Sequence, residues 1–283
     1  MKLNEFLKNH DLVTFFSNVW GLQTYHFPEC ALRLDEPESL LQKLMALPRL
    51  HYPQIRVFNA YGALNPLTYT ASSQHSLSEA IANDKLSTLA IAPNTIKFEN
   101  IASLDSAFAN WLDQLERMFS SGITLNAYFS FGPSSGIPAH YDPHHIFAIQ
   151  LHGEKIWNIG IKQSESFPHA GLPLFKKIDT PPTTELTLRA GEMLYIPPGR
   201  WHAVRTESRS IHLTAGIHTP RCYQALTSLL EKAAKRHPEL RADMPFVVEP
   251  AGLRFCSLSD EELDIALRII KAEQRFSGNE RHE

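Results

Sequence analysis

The sequence predicts a mainly β protein, an antiparallel sandwich or barrel with helices before and after it. Three observations carry that reading. Between Gly122 and about Pro220 the chain is a series of short β-prone runs punctuated by Gly and Pro, the texture of an antiparallel sandwich or barrel. On either side of this stretch the apolar residues recur at helical spacing. The 283 residues suffice for one large domain, or a large domain with a small companion, with ample core. The expected division is an N-terminal helical and strand region over 1–121 that supports the core, a core over 122–220, and a C-terminal helical region over 221–283.

In chain order, Phe6, Leu7, Val13, Phe15, Phe16, Val19 and Trp20 supply the apolar side of one or two helices within residues 1–20, and Asp11 is placed to cap a second turn. Asp35-Glu36-Pro37-Glu38 opens another helix. Proline is tolerated in a first turn, acids are favoured there by the helix dipole, and Leu40, Leu41, Leu44 and Met45 make the apolar face, which stops at Pro48. Ile55-Arg56-Val57-Phe58 reads as a short strand. Residues 76–83 and 104–119 are helical by period, the latter with Leu104, Phe108, Trp111, Leu112, Leu115 and Phe119 at i, i+3, i+4 spacing. The core strands are Ile123 to Phe129, then Phe147 to Leu151 and Lys155 to Ile161 as a pair joined by His152-Gly153-Glu154. Glu185 to Leu188, Met193 to Ile196, Trp201 to Thr206 and Ser210 to His218 complete them, with Pro197-Pro198-Gly199 as a turn. Past Pro220 the chain reads as helical again. Ala225, Leu226, Leu229, Leu230 and Ala233 form one stripe. Ser259 and Glu262 form a capping box, with Leu258 and Leu263 as its hydrophobic staple, and Ala266, Leu267 and Ile270 continue that face. These two amphipathic helices pack either on the core or on a second copy of the chain as a homodimer, and spacing leaves both open. Gln274 to Glu283 is polar and reads as frayed.

Composition excludes several function classes. Lys+Arg number 27 and Asp+Glu 30, a net charge of -3, which argues against non-specific binding to nucleic acid. No run of 18 apolar residues is present, so no membrane span is expected, and the charged N-terminus lacks the apolar stretch of a secretory signal. Cys30, Cys222 and Cys256 are far apart and not in metal-ligand spacing, as expected of reduced thiols in a cytoplasmic protein. There is no P-loop, dinucleotide fingerprint, H-E-x-x-H or paired-cysteine zinc motif, and Ser134-Ser135 lacks a nucleophile elbow.

The chemistry-bearing segment is His140-Tyr141-Asp142. On a strand, residues i and i+2 face the same way, so an imidazole and a carboxylate aim at one point. His202 lies sixty residues on, after a strand and a tight turn, at the start of another strand. Two histidines and one carboxylate on one face, with open positions opposite, is the ligand set of non-haem Fe(II) oxygenases. An isolated H-x-D also arises by chance in a chain with 14 histidines, so context decides. Lys155 opens the otherwise apolar run Lys155-Ile156-Trp157. It is either a strand end in water or a cation inside the barrel, where it needs an anionic partner such as a dicarboxylate.

These motifs together resemble a family. Asn126-Ala127-Tyr128, Gly136-Ile137-Pro138-Ala139-His140-Tyr141-Asp142, the run Phe147 to Trp157 with its Q-x-x-G-x-K-x-W pattern, and Gly191 to His202 are similar in order and spacing to the core of the JmjC-type, cupin-like 2-oxoglutarate oxygenases. They are most similar to the ribosomal-oxygenase branch. The resemblance covers about residues 122–220. It implies a double-stranded β-helix (jelly roll, cupin) core and an Fe(II)- and 2-oxoglutarate-dependent dioxygenase. Such an enzyme hydroxylates a protein, peptide or amino-acid side chain with O2 and yields succinate and CO2. It implies His140, Asp142 and His202 as iron ligands and Lys155 as partner of the distal carboxylate of 2-oxoglutarate. It further implies Asn126 near the cosubstrate or metal, Tyr128 lining the cosubstrate or substrate side, and Thr214 against the cosubstrate. The ribosomal branch usually adds a dimerisation region and a winged-helix module. The 63 residues after Pro220 accommodate helices but not the full module.

Other residues carry weaker expectations. His144 and His145 read first as exposed, then as rim or substrate-facing residues, with extra ligands as a further alternative. His212 shares a strand face with Thr214, Trp157 and Trp201 read as core, and Arg56 and Arg200 as surface residues or contacts for an acidic substrate. Two alternatives stand beside the protein hydroxylase: a small-molecule hydroxylase in a biosynthetic pathway, and a metal-binding cupin without oxygenase activity, which needs no lysine.

Overall fold

The computed structural model of the protein describes residues 3–7, 11–30, 32, 36–47, 50–71, 80–133, 137–169, 183–249 and 252–279. Asp35, Pro48, Ser134 and Ser135 lie outside them. The chain divides into two compact units, Met1–Thr219 and Pro220–Glu283.

The first unit opens with α1 (Leu3–Phe6) and α2 (Leu12–Asn18), the latter capped by the Asp11 carboxylate, which accepts from the Val13 amide. Then come β1 (Tyr25–Phe27) and α3 (Pro37–Met45), with Pro37 in its first turn as expected. The hairpin of β2 (Ile55–Asn59) and β3 (Gly62–Ala63) follows, then α4 (Asn83–Leu89), β4 (Thr95–Phe98) and α5 (Ser106–Phe119). The helix expected over 76–83 is not found as such. Residues 72–79 lie outside the described set, Ala80 and Ile81 form single bridges to His51 and Thr70, and the helix starts at Asn83.

From Gly122 onward the strands are β5 (Gly122–Phe131), β6 (His145–His152), β7 (Glu154–Gly160), β8 (Thr183–Arg189), β9 (Met193–Ile196), β10 (His202–Arg205) and β11 (Arg209–His218). They form two antiparallel sheets. The larger has eight strands in the order β1-β9-β6-β11-β5-β4-β2-β3, and the smaller has the order β10-β7-β8. The expected β6–β7 hairpin is corrected by this order. At Gly153 (φ +63) the chain leaves the large sheet for the small one, and β7 pairs with β8 and β10 instead. A direct link through one glycine looks like a hairpin in sequence. Here it is a corner between facing sheets, the device of a jelly roll.

Strand alternation assigns the two faces of the large sheet. On β5, Ile123, Leu125, Ala127 and Phe129 are buried on one side, and on β11 Ile211, Leu213, Ala215 and Ile217 share it. This side packs with Phe6, Phe15, Leu41, Leu44, Phe108, Trp111 and Leu115 of the helices into one apolar core. The opposite side carries Thr124, Asn126, Tyr128 and Ser130 of β5 with His212, Thr214 and His218 of β11. It faces the small sheet across the interior. One part of that interior is filled by Ile146, Ala148, Trp157, Ile159, Leu188, Leu194 and Ile196, and the polar residues line an open cavity. The protein is thus mainly β, with a jelly-roll core and helices at both ends.

The second unit contains α6 (Cys222–Arg236) and α7 (Asp260–Asn279), the two expected helices, and a hairpin of β12 (Phe246–Glu249) and β13 (Gly252–Phe255) that the helical reading of this region missed. The Ser259–Glu262 capping box forms as expected: the Glu262 carboxylate accepts from the Ser259 amide at 2.7 Å. The helix it opens continues to Asn279, so Gln274 to Asn279 of the polar stretch is helical, and residues 280–283 lie outside the described set. Among the described residues no helix is long and apolar enough to cross a membrane, and no disulfide joins the cysteines.

Candidate metal and cosubstrate site

His140 and Asp142 do not lie on a regular strand, so their convergence needs another cause than the expected strand alternation. His140 forms a one-residue antiparallel bridge with His202, each amide donating to the other's carbonyl at 3.0 and 2.8 Å. That bridge puts the two imidazoles side by side, with ring centres 4.5 Å apart. Tyr141 turns away and is buried, so Asp142 returns to the side of His140. Its Oδ2 lies 3.6 Å from His140 Nε2 and 3.5 Å from His202 Nε2, and the three donor atoms fall within 4.8 Å of one another.

Each imidazole is oriented from behind. Nδ1 of His140 lies 2.8 Å from the Pro138 carbonyl oxygen and Nδ1 of His202 lies 3.1 Å from that of Arg200. A carbonyl only accepts, so each Nδ1 carries the hydrogen and each Nε2 presents a lone pair to the common point, the state a metal ligand requires. Burial holds His202 down to about 4, so it is neutral at ordinary pH. Burial pushes the Asp142 carboxyl up, but the neighbouring His140, His202, His144 and Lys97 outweigh it and hold it below the usual carboxylate range. A dianionic or trianionic ligand set is avoided. Two imidazole nitrogens and one carboxylate oxygen suit a divalent ion of intermediate hardness.

The triad opens into a cavity of about 1040 Å³. Cross-strand register places its lining in rows. Arg56 of β2 stands opposite Lys97 of β4, Lys97 opposite Tyr128 of β5, and Tyr128 opposite His212 of β11; the next row pairs Asn126 with Thr214. Lys155 enters from β7 in the facing sheet. It is 3% exposed, and its Nζ donates to Ser130 Oγ at 2.9 Å. Among the described residues no carboxylate pairs with it, and burial pulls its pKa down to about 7. Of the two readings the sequence left open for Lys155, the interior one holds.

The remaining sequence candidates distribute as follows. The Asn126 side-chain oxygen Oδ1 accepts from the Asn100 main-chain amide at 2.9 Å at the cavity wall. Tyr128 is buried and stacked flat on His212, with ring centres 4.4 Å apart, and Thr214 lines the cavity. His212 is buried and lines it too, held well below its usual pKa by burial and then by Lys155 and Lys97. Trp157 is both core and cavity wall, and Trp201 is core. Two expectations are corrected, those for His145 and Arg200, while His144 takes one of the places left open for it. His145 is not exposed: it is stacked on Trp20 at 3.8 Å and its Nδ1 meets the Tyr195 hydroxyl at 2.8 Å, because it points to the core side of β6. His144 points the other way into the cavity wall, where only a glycine at 216 leaves room for its ring, since a Cβ there would meet Nε2 at 2.6 Å. Arg200 is 6% exposed and donates to main-chain carbonyls rather than standing at the surface.

Sequence reasoning missed Lys97, which is paired with Glu99 at 2.7 Å and lies 5.4 Å from the Tyr128 ring centre, and it missed Ser130 and Thr95, whose hydroxyls meet at 2.9 Å beneath Lys155. The signals were present. Thr95-Ile96-Lys97-Phe98-Glu99 alternates polar and apolar, and Ser130 continues the series Asn126, Tyr128 two residues on.

Fold and site together define a class: a double-stranded β-helix carrying two histidines and one aspartate in its interior. Residues 100–225 match the model of the JmjC domain. The bifunctional lysine-specific demethylase and histidyl-hydroxylase NO66 of Drosophila mojavensis is 30% identical over 168 residues, 56% of this chain and 19% of that protein. Ribosomal oxygenase 2 of Rattus norvegicus is 30% identical over 162 residues, 53% of this chain and 34% of that protein. The chain therefore spans about a fifth to a third of the length of these curated relatives. Among solved structures, the Escherichia coli ribosomal oxygenase YcfD in complex with cobalt and 2-oxoglutarate superposes with a TM-score of 0.59 at 17% identity, over 94% of this chain and 66% of that one, a likeness of fold.

Proposed function

We propose that the protein is an Fe(II)- and 2-oxoglutarate-dependent oxygenase that hydroxylates a side chain of a protein or peptide. The observation that carries this is the buried Lys155 ammonium, without a carboxylate partner among the described residues, in the same cavity as the His140, Asp142, His202 triad. A metal-binding cupin needs the triad alone. A buried cation held only by a hydroxyl is costly and points to an anionic ligand. The names of the relatives, ribosomal oxygenase and histidyl-hydroxylase, and the 2-oxoglutarate in the YcfD complex support the same reading.

In this reading His140, Asp142 and His202 would hold the ferrous ion. Lys155 and Ser130 receive the distal carboxylate of the cosubstrate, and Thr214 and Asn126 line the same cavity wall beyond Tyr128 and His212. Tyr128 is kept in place by its stack on His212 and by Lys97, and the substrate is received by the part of the cavity lined by Arg56, Glu99 and Asn100. With 2-oxoglutarate and O2, the bound iron supplies the oxidising power to insert one oxygen atom into a C–H bond, leaving succinate and CO2. The apolar residues around Trp157 and Ile146 keep water from the lysine end. The division into a supporting region over 1–121, a catalytic core over 122–220 and a C-terminal region over 221–283, able to carry a homodimer contact, belongs to this reading. So does a cytoplasmic location, which the reduced cysteines favour.

The test is succinate formation from 2-oxoglutarate with Fe(II) and O2, followed by a search for a mass gain of one oxygen in a peptide panel. Wild type is expected to form succinate and Asp142→Ala none. A wild type that consumes no 2-oxoglutarate, with or without peptide, overturns the reading. Turnover of a free metabolite but of no peptide moves it to a small-molecule hydroxylase.

A further inference from the structure

We propose that Arg200 is a positioning residue for the metal site, clamping the turn that holds both His202 and Asp142 in their ligating orientation. This rests on the reading of those two residues as metal ligands. Arg200 is 6% exposed, yet no acid faces it among the described residues. Its guanidinium instead donates to three main-chain carbonyls: Nη1 to Gly160 at 3.2 Å and Ile161 at 2.6 Å, and Nη2 to Leu22 at 2.7 Å. Burying a guanidinium without a counter-ion is unfavourable, and a leucine or methionine fills such volume at less cost. A planar fork that bonds several carbonyls at fixed angles is what only arginine provides.

What the clamp fixes is the turn Pro197 to Arg200. The Gly199 amide donates to the Asp142 carbonyl at 2.8 Å, and the Arg200 carbonyl accepts from His202 Nδ1. One residue pair thus holds the backbone of one ligand and the ring of another. The Gly199 carbonyl in turn accepts from the Ser164 and Glu165 amides, and the Trp201 carbonyl from the Gly160 amide, so the turn is pinned to the end of β7 on both sides. The contact with Leu22 adds a third anchor. The neighbouring Gly21 amide donates to the Tyr195 hydroxyl at 2.7 Å, fastening the segment after α2 to β9. Release of the guanidinium frees the Arg200 carbonyl to rotate, and His202 loses the acceptor that selects its tautomer.

The experiment compares wild type, Arg200→Lys and Arg200→Met by cobalt(II) titration, read as d–d absorption and by calorimetry, with circular dichroism as the fold control. Wild type is expected to bind cobalt. Arg200→Met is expected to bind it about 10- to 100-fold more weakly, with an altered band shape, and Arg200→Lys, which reaches one or two of the carbonyls, is expected to fall between. A folded Arg200→Met with wild-type affinity and band shape overturns the proposal. If Arg200→Met does not fold, the same criterion applies to Arg200→Lys. Should wild type bind no cobalt, the proposed function fails, and Arg200 is then judged by nitrogen-15 NMR of the imidazoles without metal. A single Nδ1–H tautomer at His202 in wild type that becomes mixed in the variant supports the clamp, and an unchanged spectrum overturns it.

Discussion

The Lys155 ammonium donates to the Ser130 hydroxyl at 2.9 Å, reaching from the small sheet across the interior to the large one. Thr95 bonds the same hydroxyl from the next strand, at 2.9 Å. The cation is therefore held in place before any anion arrives, and its cost is borne by the ligand-free fold.

Replacing it should separate binding from stability. Lys155→Met is expected to weaken 2-oxoglutarate binding by about 2–5 kcal/mol, thirty-fold or more, while leaving cobalt affinity unchanged. The ligand-free variant should melt at or above the wild-type temperature, since an uncompensated buried charge is gone. Calorimetry and thermal unfolding read the two effects, and an unchanged 2-oxoglutarate affinity would remove the lysine from the site.

The same group sets a pH dependence. Burial brings Lys155 to about 7, against about 10.4 for an unfolded lysine. Between these values the unfolded chain holds a proton that the folded chain has released. Stability from this group therefore rises as pH rises from about 7 toward 10, and is absent below that window. An anionic ligand selects the protonated lysine, so its affinity should fall as pH rises above 7 and its binding should take up a proton. Calorimetry at pH 8 in buffers of different ionisation enthalpy is expected to show that uptake in wild type and not in Lys155→Met. Proton release in wild type would contradict it.

Gly199 has φ +74, and a Cβ there would run into the Glu165 carbonyl oxygen. Both the backbone conformation and the space exclude a side chain. Gly199→Ala should cost more than about 1 kcal/mol in urea unfolding. It should also lower cobalt affinity, because the Gly199 amide holds Asp142; a variant with wild-type stability would show that the turn is not constrained as described.

Trp20 lies flat on His145 at 3.8 Å and stacks on Tyr195 at 5.3 Å, joining the N-terminal helices to the large sheet. As Trp20 is partly exposed, Trp20→Ala should destabilise toward the low end of about 3–5 kcal/mol. A loss below 1 kcal/mol by chemical denaturation would show that the stack contributes little.

The strand runs between Gly122 and His218 were legible because short β-prone runs are set off by Gly and Pro, and the run Met193 to Ile196, buried throughout, matches β9 residue for residue. Helix starts were legible where a side chain caps them, as at Asp11 and Ser259. Partners were not. Whether β6 and β7 pair or turn a corner depends on which sheet each joins, a long-range choice that Gly153 permits either way. Short strands such as β1 and β3 carry too few residues for a period, and their pairing came only from tertiary contact. The convergence of His140 with His202 came from a single backbone bridge, while the opposite destinations of His144 and His145 follow from alternation once β6 is known to begin there.

The central claim is that one cavity joins a two-histidine, one-aspartate metal site to a buried lysine that binds a dicarboxylate. Anaerobic titration of the Fe(II)-loaded protein with 2-oxoglutarate, watched for the visible charge-transfer absorption of a chelated keto acid, tests it most directly. The account predicts a saturable band in wild type, its loss in Asp142→Ala, and a large rise in the half-saturating concentration in Lys155→Met. A wild type that binds Fe(II) but develops no such band at any 2-oxoglutarate concentration would contradict it.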